Sequence, residues 1–341
     1  MAEADSGSKY YRVLEMYLRM LDGEVLVKAE EAERYGIHPR SIQRDLDGLR
    51  LFLAGQGREG YSQNLVYDRK RHGYVLTGSK KDLSQEEALA LSKILLESRA
   101  FTKKEMESLV DKVIRSGVPR DLIEPVLQLV NNEKQNYEEL QNHDDSILTK
   151  IWQLGGAINR RRLLTMHYLR SDGSEVCRLV KPLAIMFSEF YFYLIAEFAN
   201  PEDVGLTETK YRFPTVYRLD RILDFEEGDK FRVDYGKRFK SGEVRKRIQY
   251  MYGGDLQHVQ IQFTGMTADY ILDRFPTAKI LSEEPAGDKM KRYVIAMEVY
   301  GLIGMRIWAL SQGSQVKVLA PAALVESMKE NLKAALAQYG E

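Results

Sequence analysis

Apolar positions in the first fifty residues recur with helical spacing. Val13, Leu14, Tyr17, Leu18 and Leu21 predict an amphipathic helix over residues 10–22, closed by Gly23. A shorter helix is expected over 28–35, ended by Gly36. The next segment, HPRSIQRDLDGLR at 38–50, has two faces. Ile42, Leu46 and Leu49 form a face that seeks a core, while Arg40, Gln43, Arg44 and Asp47 form a face of hydrogen-bonding side chains. Pro39 suits the first helical turn, where a missing N–H costs nothing. Two helices joined by a tight, glycine-containing turn predict a helix-turn-helix. Residues 65–67 and 73–76 then read as two strands around a tip of Asp68, Arg69, Lys70, Arg71 and His72. Three helices and a hairpin predict a winged helix-turn-helix over residues 1–78.

The pattern changes at residue 84. SQEE (84–87) and TKKE (102–105) have capping-box spacing ahead of apolar periodic runs. Leu91 and Leu95, then Met106, Leu109, Val110 and Val113, then PRDLIEPVLQLV, predict helices. The polar stretch 131–145 reads as a solvated connection, and a helix through Ile147, Leu148, Ile151 and Leu154 follows. Residues 79–160 are thus expected to be a helical linker and dimerisation region. Five short β-branched or aromatic runs come next: LLTMHYL, SEVCRLV, LAIMFS, FYFYLIAEF and TVYRLDRI. Turns at 170–174 and at Glu189 separate some of them, and the set predicts a small closed or nearly closed barrel at 161–232. Over 245–341 the alternation changes to β-α-β-β-α-β, the order of a ferredoxin-like α/β sandwich. The fold class expected is multidomain α+β.

Composition sharpens this in two ways. At 341 residues the chain exceeds one ordinary domain, and 44% apolar residues suffice for several cores. Lys plus Arg and Asp plus Glu are 50 each, so net charge indicates no partner. Nucleic-acid binding has to come from local clusters. The single cysteine, Cys177, excludes an intramolecular disulfide framework and a thiolate-built zinc site, and fits a reducing compartment. No signal pattern opens the chain and no run approaches a membrane span, so a cytoplasmic protein is expected.

The major groove of DNA accepts one α-helix, whose Arg, Gln and Asn side chains read base edges. In a helix-turn-helix the N-terminal half of the second helix does so. Arg40, Ser41, Gln43 and Arg44 occupy that half here, and Arg69, Lys70 and Arg71 at the hairpin tip suit phosphates or the minor groove. Asp45 and Asp47 are expected to position the arginines or to face the protein.

In this order the motifs resemble the WYL-domain transcriptional regulators of bacteria. IHPRSIQRDLDGLR with YDRKRHGYVL is similar to their N-terminal winged helix. Phe192, Tyr193 and Leu194 stand where the family has Trp-Tyr-Leu, and YRLDRI (217–222) resembles the arginine-bearing strand that follows. MHYLRSDGSEVCRLVKPLAI resembles the two preceding strands, and residues from VQIQF to the end resemble the C-terminal extension of many members. Phe192 departs from the family in lacking an indole N–H, His38 stands where a capping serine is common, and Glu31 replaces an apolar residue. The resemblance implies an Sm-like barrel that senses a ligand, a nucleotide or single-stranded nucleic acid foremost. Tyr168 and Tyr193 offer aromatic faces and phenols, Arg218 and Arg221 can fork onto phosphate, and Arg178 and Lys181 add charge. Strand parity pairs Tyr193 with Tyr191 and Arg218 with Asp220, leaving Arg221 on the other face unless the strand bends.

Other chemistries find little support. There is no phosphate-binding Gly-Lys-Ser/Thr loop and no dinucleotide fingerprint. The histidines at 38, 72, 143, 167 and 258 lack metal-ligand spacing, and no base is evident for Cys177. His167 could point into the barrel, more simply as a structural residue, and 236–247 reads as a solvated linker or a nucleic-acid path. The expectation is a non-enzymatic, cofactor-free, ligand-responsive regulator, a homodimer on a double-stranded operator. An RNA- or single-strand-binding accessory protein is the alternative.

Overall fold

The computed structural model describes residues 9–21, 23–55, 64–77, 83–118, 120–140, 147–200, 213–232, 239–287 and 289–340. The chain divides into two compact units, Met1–Leu140 and Gln141–Glu341.

The first unit opens with helices α1 (Lys9–Leu21), α2 (Lys28–Arg34) and α3 (Pro39–Gly55) and the hairpin β1 (Asn64–Asp68) and β2 (Gly73–Thr77). Ile42, Leu46, Leu49 and Leu53 of α3 are buried against Met16, Met20, Leu26 and Leu65. The expected helix over 10–22 is present, but its buried face differs. Met16 and Met20 point inward, whereas Leu14 and Leu18 are 60% and 59% exposed. The reason is electrostatic. Arg12 must turn inward to meet Asp45 of α3, and that fixes the rotation of α1.

The hairpin is tied to the segment between α1 and α2. Leu26 and Tyr74 exchange both backbone hydrogen bonds, at 2.9 and 2.8 Å, so Leu26 adds a short third strand. Gly73 is required at this junction, because a Cβ there would lie 2.4 Å from Val25 Cγ1. Helices α4 (Gln85–Ser98), α5 (Lys103–Gly117) and α6 (Arg120–Gln135) complete the unit. Both expected capping boxes are formed, by Ser84 with Glu87 and by Thr102 with Glu105. The expected loop at 131–145 starts later than its polarity suggested. Helix α6 continues to Gln135, and buried Tyr137 donates to the Phe101 carbonyl at 2.7 Å. Residues 141–146 lie outside the described part.

The second unit begins with α7 (Ile147–Arg160), then β3 (Arg162–Leu169), β4 (Glu175–Ser188), β5 (Tyr191–Phe198), β6 (Thr215–Arg218) and β7 (Ile222–Lys230). These strands form one antiparallel sheet in the order β6-β5-β4-β3-β7. Two expected strands are in fact one. β4 runs 14 residues through Pro182, its first half pairing with β3 and its second with β5 across a register shift at Pro182/Ala184. A proline that cannot donate to the ladder is tolerated at such an irregularity. The fifth strand, β7, is largely exposed and acidic, which hides it from a search for apolar runs. Edge strands β6 and β7 are separated only by the single 3-10 turn Leu219–Arg221, so the sheet must curl until its edges approach. Tyr168 of β3 and Tyr217 of β6 meet across the concave side, ring centroids 5.1 Å apart. Helix α7 lays Ile147, Leu154 and Ala157 on this sheet, and Lys150 Nζ donates to the Ile222 carbonyl.

The chain continues through α8 (Ser241–Arg245), β8 (Leu256–Gly265), α9 (Asp269–Arg274), β9 (Lys279–Pro285), β10 (Lys291–Tyr300), α10 (Ile303–Ser311), β11 (Val316–Ala320) and α11 (Ala322–Ala337). The four strands are antiparallel in the order β11-β8-β10-β9. Val259, Ile261, Ile295, Met297 and Trp308 head a core on the helix side. The stretch 236–247 is not the free linker its charge suggested. Val244 of α8 is buried, Arg245 donates to the Phe187 carbonyl and Arg247 is ion-paired; residues 236–238 lie outside the described part. Among the described residues, no helix is long and apolar enough to cross a membrane.

Candidate functional site

Two places in the structure gather the residues singled out above, one in each unit. In the first, α3 presents Arg40 and Arg44 to solvent and Ser41 at its half-buried flank. His38 starts this helix by accepting the Arg40 backbone N–H on Nδ1 at 3.1 Å. The imidazole thus does what a capping serine does, which parity and propensity alone would not reveal. His38→Ala should therefore lower stability by about 1 kcal/mol and His38→Ser should not, as read by chemical unfolding.

Gln43 is not a free reader. Its amide nitrogen donates to Asp47 at 3.1 Å, and its oxygen accepts from the Tyr74 hydroxyl at 3.0 Å and, at 3.5 Å, from Lys28. Its role here is to hold the hairpin to α3. Asp47 also receives Arg50, whose Nε donates to the Leu65 carbonyl, a second tie between helix and hairpin. Asp45 is buried and bonded to Arg12 at 2.7 Å, so it faces the protein. Glu31, polar where an apolar residue was the norm, is buried because Arg19 bridges it and Glu24 at 2.7 and 2.6 Å. The hairpin tip is organised by Asp68, which accepts the Lys70 and Arg71 backbone N–H groups at 2.8 and 3.2 Å. Those bonds hold its carboxyl below the usual range. Arg69, Lys70 and Arg71 extend from that turn into solvent, Arg71 with Asp68 at 3.8 Å.

In the second unit, Arg218 of β6 is opposite Tyr193 of β5. Its guanidinium lies over the Tyr191 ring, 3.4 Å from the centroid, and its Nε and Nη2 bind Asp220 at 3.0 and 2.5 Å. Burial opposes the arginine's charge, but Asp220 outweighs it and the pKa is raised. Burial also lifts the Tyr193 phenol to about 12, so near neutrality it remains a hydroxyl donor. The parity expectation holds: Tyr191, Tyr193, Arg218 and Asp220 are together. Lys181, opposite Glu197, shares their side of the sheet.

Tyr168 and Arg178 do not. They continue the buried row Leu164, Met166 and Val180, two residues apart along each strand, and so belong to the concave side with Tyr217. Five of the six expected ligand residues therefore occupy two faces rather than one pocket, and the sixth, Arg221, lies in the turn after β6. The faces meet at β6, where the Arg218 backbone N–H points to the Tyr168 hydroxyl at 3.4 Å. Burial lifts the Tyr217 phenol to about 12 even with Arg178 close enough to oppose it. Arg221 is half-buried in the 3-10 turn and makes no hydrogen bond or ion pair among the described residues. Phe192 packs on Phe187 at 5.0 Å, an aromatic pair with no polar atom to offer.

His167 does not join Leu164 and Met166 on the buried face of the sheet but lies on the opposite one. It is half-exposed, bonded to Asp224 at 2.7 Å and opposite Cys177. Among the described residues the thiol forms no hydrogen bond to the imidazole, and no group of three His, Cys, Asp or Glu side chains is placed to hold a metal.

Residues 150–227 match the WYL domain family and residues 255–336 the WCX domain family. No curated protein matches the chain. Among solved structures it is similar to proteasome accessory factor B/C (PafBC) of Arthrobacter aurescens, at 17% identity over 98% of this chain and 49% of that one, with a TM-score of 0.26. It is also similar to a CRISPR Cas-related protein, at 15% identity over 70% of this chain and 65% of that one, with a TM-score of 0.35. The chain thus spans about half the length of the first and less than two thirds of the second. The chain thus carries a region matching the WYL domain at 150–227, followed by one matching the WCX domain at 255–336.

Proposed function

We propose that the chain is a ligand-responsive, DNA-binding transcriptional regulator acting as a homodimer. In this reading α1–α3 and the hairpin are a winged helix-turn-helix, the five-stranded sheet is an Sm-like barrel, and the C-terminal sheet is ferredoxin-like. Residues 79–160 link the winged helix to the barrel and bring two copies together. The observation that carries it is the hydrogen-bonded tie from Tyr74 to Gln43, which fixes a cationic hairpin tip to a helix whose N-terminal half exposes Arg40 and Arg44. A rigid pairing of that kind lets one helix enter the major groove while the wing meets the neighbouring backbone. Ser41 completes the DNA-facing set, and Gln43 acts through position.

The barrel is the sensor in this reading. A nucleotide or single-stranded nucleic acid offers phosphates to Arg218 and a base to the Tyr191 and Tyr193 rings. Phosphate and Asp220 compete for the same guanidinium fork. Binding therefore releases Asp220 and shifts the population of protomer arrangements toward those that place both winged helices on their half-sites, or away from them.

Fluorescence anisotropy on duplex DNA from the upstream region of its own gene tests the DNA half. Arg44→Ala should lose about 1–3 kcal/mol of specific binding. Arg69→Ala with Arg71→Ala should instead lower the slope of log affinity against log salt, by about 0.9 for each phosphate no longer neutralised. Equal binding by wild type and Arg44→Ala removes α3 from the interface. Preference for single strands over duplex favours the accessory-protein alternative.

A further inference from the structure

Helices α9, α10 and α11 pack on one side of the C-terminal sheet, and its other face holds a concavity of about 410 Å³. Its floor is small: Ala296 of β10 beside Gln260 of β8. Around it stand Arg247, His258, Lys279 and Glu298. We propose that this concavity binds a small phosphate-bearing ligand, a second effector site independent of the barrel.

Donors left unengaged on the wall favour an anion. Arg247 is held rigidly by Glu298 at 2.9 Å and Glu243 at 2.7 Å, so its guanidinium is already oriented, and its Nη2 has no hydrogen-bond partner among the described residues. Lys279 and the Gln260 side chain likewise make no hydrogen bond or ion pair among the described residues. His258 is 79% exposed, with Nδ1 3.9 Å from Glu298, beyond hydrogen-bond length. Glu298 in the wall and Glu243 behind it both hold the guanidinium, which leaves the Lys279 ammonium as the unpaired charge of the site among the described residues. A preset guanidinium beside a mobile ammonium suits phosphate oxygens. Gln260 offers both a donor and an acceptor to whatever the phosphate is attached to. The volume lies within the range of pockets for small ligands. The walls are also fixed: the Thr277 hydroxyl donates to the Glu298 carbonyl at 2.9 Å and accepts its N–H at 3.1 Å, locking the start of β9 onto β10.

The test is calorimetric titration of the full chain with AMP, inorganic pyrophosphate and citrate, repeated on Lys279→Glu, His258→Ala and Arg218→Ala. Lys279→Glu and Arg218→Ala each reverse or remove an exposed or half-buried charge, and circular dichroism checks their folding. The expected result is a set of AMP or pyrophosphate sites weakened at least about tenfold by Lys279→Glu, reduced by His258→Ala and still present in Arg218→Ala, which removes only the barrel's share of the binding. Pyrophosphate binding without AMP binding assigns the site to the phosphate alone, and AMP binding the tighter of the two assigns it to a nucleotide. Phosphate binding abolished in Arg218→Ala and retained in Lys279→Glu overturns the proposal in favour of the barrel. Citrate binding alone, or none by any probe at 1 mM, about the weakest affinity worth naming a site, overturns it outright.

Discussion

Asp45→Ala should destabilise the N-terminal unit by about 3–5 kcal/mol and abolish duplex binding with it. Asp45 is 3% exposed and its partner Arg12 is 7% exposed, with both contacts, Nε at 2.8 Å and Nη2 at 2.7 Å, made to one carboxylate oxygen. Truncating the aspartate strands a guanidinium inside the α1–α3 interface, where water cannot replace the missing oxygen. Truncating both partners removes the stranded charge, so Arg12→Met with Asp45→Leu should recover most of the loss. Stability is read by urea unfolding and DNA binding by anisotropy. If Asp45→Ala unfolds at the wild-type midpoint, the pair is not holding α1 to α3. The double variant separates fold from recognition, because it restores the platform and leaves Arg40, Arg44 and the wing untouched.

The same pair shows what could and could not be read from the chain. The helices, the hairpin, both capping boxes and the C-terminal β-α-β-β-α-β succession were legible, because each leaves a periodic or positional signature within a dozen residues. The inward face of α1 was not. Leu14 and Leu18 look more apolar than Arg12, and only a contact 33 residues away turns Arg12 inward. Tertiary ion pairs of this kind, with Arg19 and Glu31 as a second case, have no local signature. The strand β7 escaped for a related reason, since an exposed acidic strand reads as loop until a partner such as β3 is known.

At the candidate sites, residue types were legible and their partners were not. Strand parity grouped Tyr193 with Tyr191 and Arg218 with Asp220, and the structure places those four together. Tyr168 and Arg178 have the same chemistry but not the same face, since they lie on the concave side. Gln43 looked like a base reader by type, but a tyrosine 31 residues away engages its amide oxygen. Tyr74 could have been suspected only from its place at the start of the second wing strand.

Arg218 is where stability and sensing can be separated. Its side chain is 22% exposed and that of Asp220 is 14% exposed, so Arg218→Ala leaves a largely buried carboxylate unpaired. Partial exposure tempers the penalty, and a loss of about 2–3 kcal/mol is expected from an unsatisfied charged group. Affinity for a single-stranded oligonucleotide should fall at the same time. That double loss alone is ambiguous, since a loosened barrel could cause both. Asp220→Asn resolves it. The amide keeps the size of the carboxylate but gives up its charge, so Arg218 is held less tightly and is more available to an incoming phosphate. If the two anions compete for one fork, Asp220→Asn should bind the oligonucleotide more tightly than wild type while being less stable. The gain should vanish in Arg218→Ala with Asp220→Asn. A contact that serves only the fold predicts the opposite sign, weaker binding from every destabilised variant. Affinity rising as stability falls is therefore the outcome that makes Arg218 a sensor residue, and parallel decline in both makes it scaffold.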